Sequence, residues 1–314
     1  MKSYPRPRAG KFLLSSKDLN MRIIASVMPP VAAWLALGLF IATSARAETP
    51  ESRLEAVVAR VEKTLDARVG VALTDTGADR TWTHRANERF LMNSTVKAAI
   101  CGTALWQSEE GRLDLADELA VRAADILDYA PVTETKVGGK MAIDDLCLAA
   151  LDMSDNTAAN LLVRRLGGPK VVTAFMRRLD DEVSRLDRLE PELNTFSPGD
   201  PRDTTTPAAM AAQWQEMLLG DTLNEASRKR LADWMSHGGV TKALLRRNVP
   251  DGWSVSDKSG AGDHTRNLVA MVTPPNRAPW IVAIFISDGN ADFATRNAAL
   301  QEIGAAAMAL VAAP

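Results

Sequence analysis

The chain predicts an α/β protein of the α+β kind, with one sheet assembled from both ends of the chain and an all-helical domain inserted into it. Three observations predict this. Strand-like runs cluster near the start of the body (69–74 and 81–84) and near its end (254–258, 268–272 and 280–286). The segment between them, 112–250, is dominated by helical periods separated by short breakers. With 46% hydrophobic and 24% charged residues over 314 positions, the composition is that of a globular chain with room for one large or two small domains.

Residues 1–47 read as an address. Lys2, Arg6, Arg8, Lys11, Lys17 and Arg22 precede the apolar run 31–42, and Ala45-Arg46-Ala47 supplies a small-x-small cleavage pattern. Met21 offers an alternative start with a signal of ordinary length. The 20 residues 23–42 could instead be an uncleaved anchor, but Pro29, Pro30 and the cleavage pattern favour removal, which places 48–314 in the periplasm or outside the cell, without stable membrane association. After it, 50–67 carries apolar residues at Leu54, Val57, Val58, Val61 and Leu65, a helical period. The turn 75–79 joins the first two strands into a hairpin. From Ser94 to Glu110 the chain reads as a helix stopped by Gly111. Helical segments follow at 143–151, 157–166, 170–179, 207–219, 224–235 and 293–312. The stretch 185–203, rich in Pro, Asp and Asn, has no period, and a loop that long inside a compact body is commonly functional. The expected division is 48–88 with 236–314 as the sheet domain and 89–235 as the helical domain.

The formal charge is only −2, and the basic leader hides an acidic body without Lys/Arg-rich runs, which argues against nucleic-acid binding. His84, His237 and His264 show no paired spacing and two cysteines are too few for a cysteine cluster, so no metal is expected. In an oxidising compartment Cys101 and Cys147 could pair or remain two buried thiols, and the residues alone leave both open.

Ser94 and Lys97 stand three apart, on one face of a helix. Serine is a weak nucleophile that needs an adjacent base, and a desolvated lysine can serve. At the first helical turn Ser94 also lies among free backbone N–H groups, the beginning of an oxyanion site. Ser154-Asp155-Asn156 falls between two helices, Lys258-Ser259-Gly260 at a strand end, and Glu190-Pro191-Glu192-Leu193-Asn194 in the long loop. Glu190 and Asn194 could hold a water between them, and Arg188 with Asp203 could clasp the loop ends as an ion pair. Each motif alone is common, and their order along one chain is the signal.

These motifs resemble those of the class A serine β-lactamases, whose set is Ser-x-x-Lys, Ser-Asp-Asn and Lys-Thr-Gly. The resemblance covers nearly all of 50–312 and extends to Arg89-Phe90, Tyr129 with Ala130-Pro131, Asn156 to Asn160, Asp203-Thr204-Thr205 and Trp234-Met235. It implies an antiparallel five-stranded sheet flanked by helices, and hydrolysis of the β-lactam amide bond of penicillins and some cephalosporins, conferring antibiotic resistance. Ser94 would form an acyl-enzyme, with either Lys97 or Glu190 acting through a water as the acylation base. Ser154 would protonate the departing nitrogen, with Lys97 and Lys258 tuning its hydroxyl. Glu190 and Asn194 would hold the hydrolytic water. Backbone N–H groups of Ser94 and Ala261 would form the oxyanion hole. Tyr129, Asn156, Lys258, Ser259, Gly260 and Arg266 would bind substrate. Cys101 and Cys147 would form the family's helix-bridging disulfide. The implied enzyme is a monomer without cofactor or metal.

Three departures from the family pattern stand out. Lys-Ser-Gly replaces Lys-Thr-Gly, keeping the hydroxyl. A short turn, Asp263-His264-Thr265, precedes Arg266. Asn93 and Gly262 occupy places where carbapenem-hydrolysing members carry paired cysteines, so efficient carbapenem turnover is not expected. A penicillin-binding DD-peptidase would lack a deacylating glutamate. A β-lactam-sensing domain would be expected to carry a spanning segment and a further domain.

Overall fold

The computed structural model describes residues 48–78 and 80–313. Its centre is a five-stranded antiparallel sheet of order β2-β1-β9-β8-β7, built from β1 (Arg68–Asp75), β2 (Arg80–His84), β7 (Ser254–Gly262), β8 (Thr265–Thr273) and β9 (Trp280–Ser287). Two-residue strands β3 (Phe90–Leu91) and β6 (Thr204–Thr205) pair with each other, as do β4 (Glu118–Ala120) and β5 (Lys140–Ala142). The leader, its cleavage pattern and the alternative start lie outside the described residues.

The period-2 alternation of strand side chains divides the apolar residues between two cores. Val69, Val71 and Leu73 of β1 and Val282, Ile284 and Ile286 of β9 face one way. They pack on α1 (Pro50–Leu65) and α8 (Phe293–Val311) through Leu54, Val58, Leu300 and Ile303. Ala72, Ile281, Ala283 and Phe285 face the other way, into the core shared with the helices between the strands. β9 is buried along its whole length because both of its faces are covered, which is why its sequence is continuously apolar. Each such side chain contributes roughly 1.5–3 kcal/mol by leaving water, and Phe285→Ala would cost about 3–5 kcal/mol.

The helical layer is arranged around α2 (Lys97–Glu109), which is buried from Lys97 to Leu105. A Cβ added at Gly102 would fall 2.7 Å from Met217 Sδ and 2.8 Å from Phe175 Cε1, so the absence of a side chain there sets how closely the neighbouring helices approach. Around α2 stand α3 (Ile143–Asp152), α4 (Asn156–Leu166), α5 (Pro169–Arg178), α6 (Pro207–Leu219) and α7 (Glu225–Trp234). Thr206, Asn224 and Asp292 accept backbone N–H bonds at the starts of α6, α7 and α8, the N-cap role of short polar side chains.

Three expectations are corrected. The helix expected from Ser94 begins as a 3-10 turn, Asn93–Val96, before α2. The strand expected to end near Lys258 continues to Gly262, because pairing with β8 carries it through buried polar residues that break the apolar pattern. Cys101 and Cys147 are buried free thiols, not a disulfide. The Cys101 thiol lies 3.8 Å from the Cys147 carbonyl oxygen and donates to it, so the sulfur is engaged with backbone. Burial pushes the Cys147 thiol well above its usual range. Among the described residues no helix is long and apolar enough to cross a membrane.

Candidate active site

Ser94 lies in the 3-10 turn, and β7 crosses directly over it. A Cβ on Gly260 would sit 2.9 Å from the Met92 carbonyl oxygen and 3.2 Å from the Ser94 nitrogen. A side chain there would collide with the backbone of the turn, and Ala261, the next residue of β7, lines the same cleft as Ser94.

Ser154 stands between α3 and α4 with φ of 61°, in the left-handed region. It is held there by its neighbour Asp155, fully buried. The Asp155 carboxylate accepts the N–H groups of Val132, Thr133 and Ala158 and the Thr133 hydroxyl. Ser154 Oγ receives Lys258 Nζ at 2.9 Å and Lys97 Nζ at 3.4 Å. With two ammonium donors on its lone pairs, the hydroxyl is left to donate its own proton.

Lys97 Nζ also donates to the Ser154 carbonyl oxygen at 2.8 Å and Asn156 Oδ1 at 2.6 Å, and lies 3.3 Å from Glu190 Oε1. Burial lowers the Lys97 pKa, and the Glu190 carboxylate opposes that shift. Burial, followed by the positive charge of Lys97, pushes Lys258 well below the lysine range. Two buried lysines sharing one hydroxyl are therefore poised to give up protons.

Glu190 is fixed at its backbone by Asn160, whose Nδ2 donates to the Glu190 carbonyl oxygen (2.8 Å) and whose Oδ1 accepts the Glu190 N–H (2.9 Å). Asn194 Nδ2 donates to Oε2 of the carboxylate at 2.5 Å, while Oε1 is buried with the Lys97 ammonium, 3.3 Å away, as its charged neighbour. The loop carrying Glu190 closes where Arg188 Nε meets Asp203 Oδ2 at 2.5 Å. Asp203 Oδ1 takes the N–H groups of Asp187 (2.7 Å) and Arg188 (3.0 Å).

A cleft of about 350 Å³ opens onto this cluster. Ser94, Tyr129, Ser154, Asn156, Asn194, Ser259, Gly260, Ala261 and Arg266 line it, all singled out from the sequence. Lys97, Glu190 and Lys258 do not; they stand behind the lining, where their charges escape bulk water. Tyr129, about half exposed, stands at the rim. Its carbonyl oxygen takes the Asn156 N–H at 3.0 Å. The two-residue turn between paired Gly262 and Thr265 brings Arg266 opposite Ala261, so Arg266 does reach the cleft. Its guanidinium donates to Asn297 Oδ1 and the Gly260 carbonyl oxygen, and burial beside Arg296 pushes it down to about 10.

Sequence reasoning missed Val240 and Phe293, which complete the cleft wall. It named Asn160 without its role as the clamp on Glu190. Only a fold brings these residues to the site, although the Arg266 guanidinium over the Phe293 ring (5.3 Å) shows how an exposed aromatic is retained there. Among the described residues no group of three or more His, Cys, Asp or Glu is arranged to hold a metal ion.

A serine on a helix-opening turn, a second serine between two buried lysines and a carboxylate behind them characterise the active-serine hydrolases of the class A fold. Comparison with known proteins narrows this further. The β-lactamase enzyme family matches residues 50–311. A β-lactamase of Rhodobacter capsulatus is 56% identical over 93% of this chain and 99% of its own length. β-Lactamase L2 of Stenotrophomonas maltophilia is 46% identical, covering 81% and 84%. Among solved structures, a β-lactamase from Xanthomonas campestris superposes with a TM-score of 0.81 at 41% identity, covering 84% of this chain and 99% of that one. A class A β-lactamase representing the last common ancestor of Gram-negative bacteria gives 0.80 at 46%, covering 82% and 99%. The chain belongs to the β-lactamase enzyme family, in class A.

Proposed function

We propose that this β-lactamase opens the four-membered lactam through an ester on Ser94 and frees itself by a water that Glu190 activates. Ser94 Oγ attacks the lactam carbonyl, and its proton passes to Lys97, once that ammonium has given a proton to Glu190, or through a water to Glu190 directly. The carbonyl oxygen becomes negative facing the N–H groups of Ser94 and Ala261; losing one such donor typically costs ~10²–10³ in rate. The ring C–N bond breaks as the nitrogen takes the Ser154 hydroxyl proton; Lys97 replaces it and is recharged by the proton held on Glu190, which frees the carboxylate for the second step, while Lys258 holds the Ser154 oxygen. Water then adds to the ester carbon, Glu190 accepts its proton, and Ser94 leaves with the proton restored.

Asn156, Ser259 and Arg266 offer donors to the substrate's amide and carboxylate, and Lys258 adds positive charge from behind Ser154. Penicillins and some cephalosporins are the proposed substrates. We also propose that residues 1–47 direct export to the periplasm or beyond, and that the enzyme acts as a monomer without metal.

The observation that carries this reading is the Glu190 carboxylate held by Asn194 at 2.5 Å with its other oxygen 3.3 Å from Lys97. The test is Glu190→Ala mixed with a penicillin and examined by intact mass. A lasting penicilloyl adduct on Ser94 is expected, and rapid turnover without one would overturn the role of Glu190. Ser94→Ala should show neither adduct nor hydrolysis.

A further inference from the structure

A row of side-chain amides runs from β8 to the Glu190 carboxylate. Asn267, fully buried, turns its Nδ2 to the carbonyl oxygens of Leu91 (2.8 Å) and Met92 (3.3 Å) and to Asn93 Oδ1 (3.0 Å). Two backbone acceptors permit only this orientation of the Asn267 amide. Asn93 Oδ1 also receives the Thr265 hydroxyl at 2.8 Å. With its oxygen held by two donors, Asn93 presents Nδ2 on the other side, where it donates to Asn194 Oδ1 at 2.9 Å. Asn194 is thereby obliged to present its own nitrogen to Glu190 Oε2. Asn93 is fully buried at φ of 47°, a conformation in which asparagine is enriched. β7 passes so near that a Cβ on Gly262 would fall 2.9 Å from Asn93 Nδ2.

We infer that Asn93 is a positioning residue for deacylation: its amide, oriented from β8, sets the direction of the Asn93–Asn194–Glu190 relay and thereby selects Glu190 Oε1 as the oxygen that takes the water's proton. Oε2 is held as the acceptor of a charge-assisted bond. Oε1 takes no amide donor and has only the exchangeable protons of the Lys97 ammonium beside it, 3.3 Å away, so it is the oxygen left for proton transfer. The inference rests on the proposed role of Glu190 as the deacylating base.

Asn93→Asp separates orientation from packing. It keeps the size, the tolerance of positive φ and both acceptor bonds from Thr265 and Asn267, but once ionised it cannot donate to Asn194, so kcat is followed with rising pH and read where the new carboxyl has lost its proton. The Asn194 amide must then turn its nitrogen toward the new carboxylate and its oxygen toward Glu190. Asn93→Gly keeps the backbone conformation, removes the amide and leaves Asn194 free to hold its orientation. With a penicillin, Asn93→Asp should lower kcat by about tenfold to a hundredfold, the rate equivalent of a lost bond to a charged group. KM should fall in parallel, kcat/KM should be nearly unchanged, and the Ser94 adduct should accumulate. Asn93→Gly should show the same pattern more weakly.

A parent-like kcat in Asn93→Asp, a loss confined to kcat/KM, or a larger kcat loss in Asn93→Gly than in Asn93→Asp would overturn the relay. If Asn93→Asp does not fold, Asn93→Gly decides: lowered kcat with adduct supports the relay and parent-like kcat refutes it. Glu190→Ala is run alongside. An adduct in Glu190→Ala with none in Asn93→Asp rejects the relay alone. Normal turnover by Glu190→Ala rejects the Glu190 role and the relay with it.

Discussion

Lys97 Nζ and Glu190 Oε1 lie 3.3 Å apart with both side chains sealed from solvent. A buried ion pair is costly to assemble and costlier to break, because removing one partner strands the other charge in a poor dielectric. Lys97→Met should therefore destabilise the fold by about 3–5 kcal/mol. Adding Glu190→Leu should recover most of that loss while leaving the enzyme inactive. Urea unfolding of the single and double variants checks both statements, and parent-like stability in Lys97→Met would contradict the first.

The pH dependence follows from Lys258. Its pKa lies well below that of an ordinary lysine because of burial and then because of Lys97. The Lys258 cation is present below that depressed value and lost above it, so attraction for the substrate carboxylate weakens as pH rises. Accordingly, kcat/KM should fall on the alkaline side earlier than a surface lysine would dictate. Lys258→Arg, whose guanidinium keeps its charge, should move that limb to higher pH. An alkaline limb at the same pH in both proteins would exclude Lys258 as its origin.

The loop clasp makes a separable prediction. Asp203 is buried, pairs with Arg188 and accepts two backbone N–H groups. Asp203→Ala should cost about 3–5 kcal/mol and lower kcat more than acylation, since Glu190 and Asn194 ride on the released loop. Hydrogen exchange should accelerate across 185–203 while β9 stays protected. Uniform acceleration over the whole chain would show the clasp to be no more local than any other contact.

The free thiols can be counted directly. Cys101 and Cys147 are both buried, so a thiol reagent should find neither in the native protein and both after denaturation without reductant. No reactive thiol in the denatured protein would show that the two are bonded.

Much of the site is legible along the chain because its chemistry depends on short spacings. Ser94 with Lys97, Ser154 with Asn156, and Glu190 with Asn194 are each placed by one turn or one loop, and Arg188 and Asp203 declare themselves as opposite charges at the two ends of an irregular stretch. The strands are legible as short apolar runs near the two ends of the chain, and the helices through their apolar spacing. The strand from Lys258 to Gly262 is not, because its buried residues are polar and are held by pairing to β8 rather than by apolar alternation.

By itself, the amino-acid order determined the apolar strand runs, most of the helices and the short motifs that meet at the cleft, since apolar period and motif spacing are local properties. Only the tertiary structure decided that Lys97, Glu190 and Lys258 stand behind the cleft, that Phe293 and Val240 complete its wall, and that Asn93 joins β8 to the loop. Burial and the orientation of an amide depend on atoms far away in the chain, and no spacing within a segment encodes them.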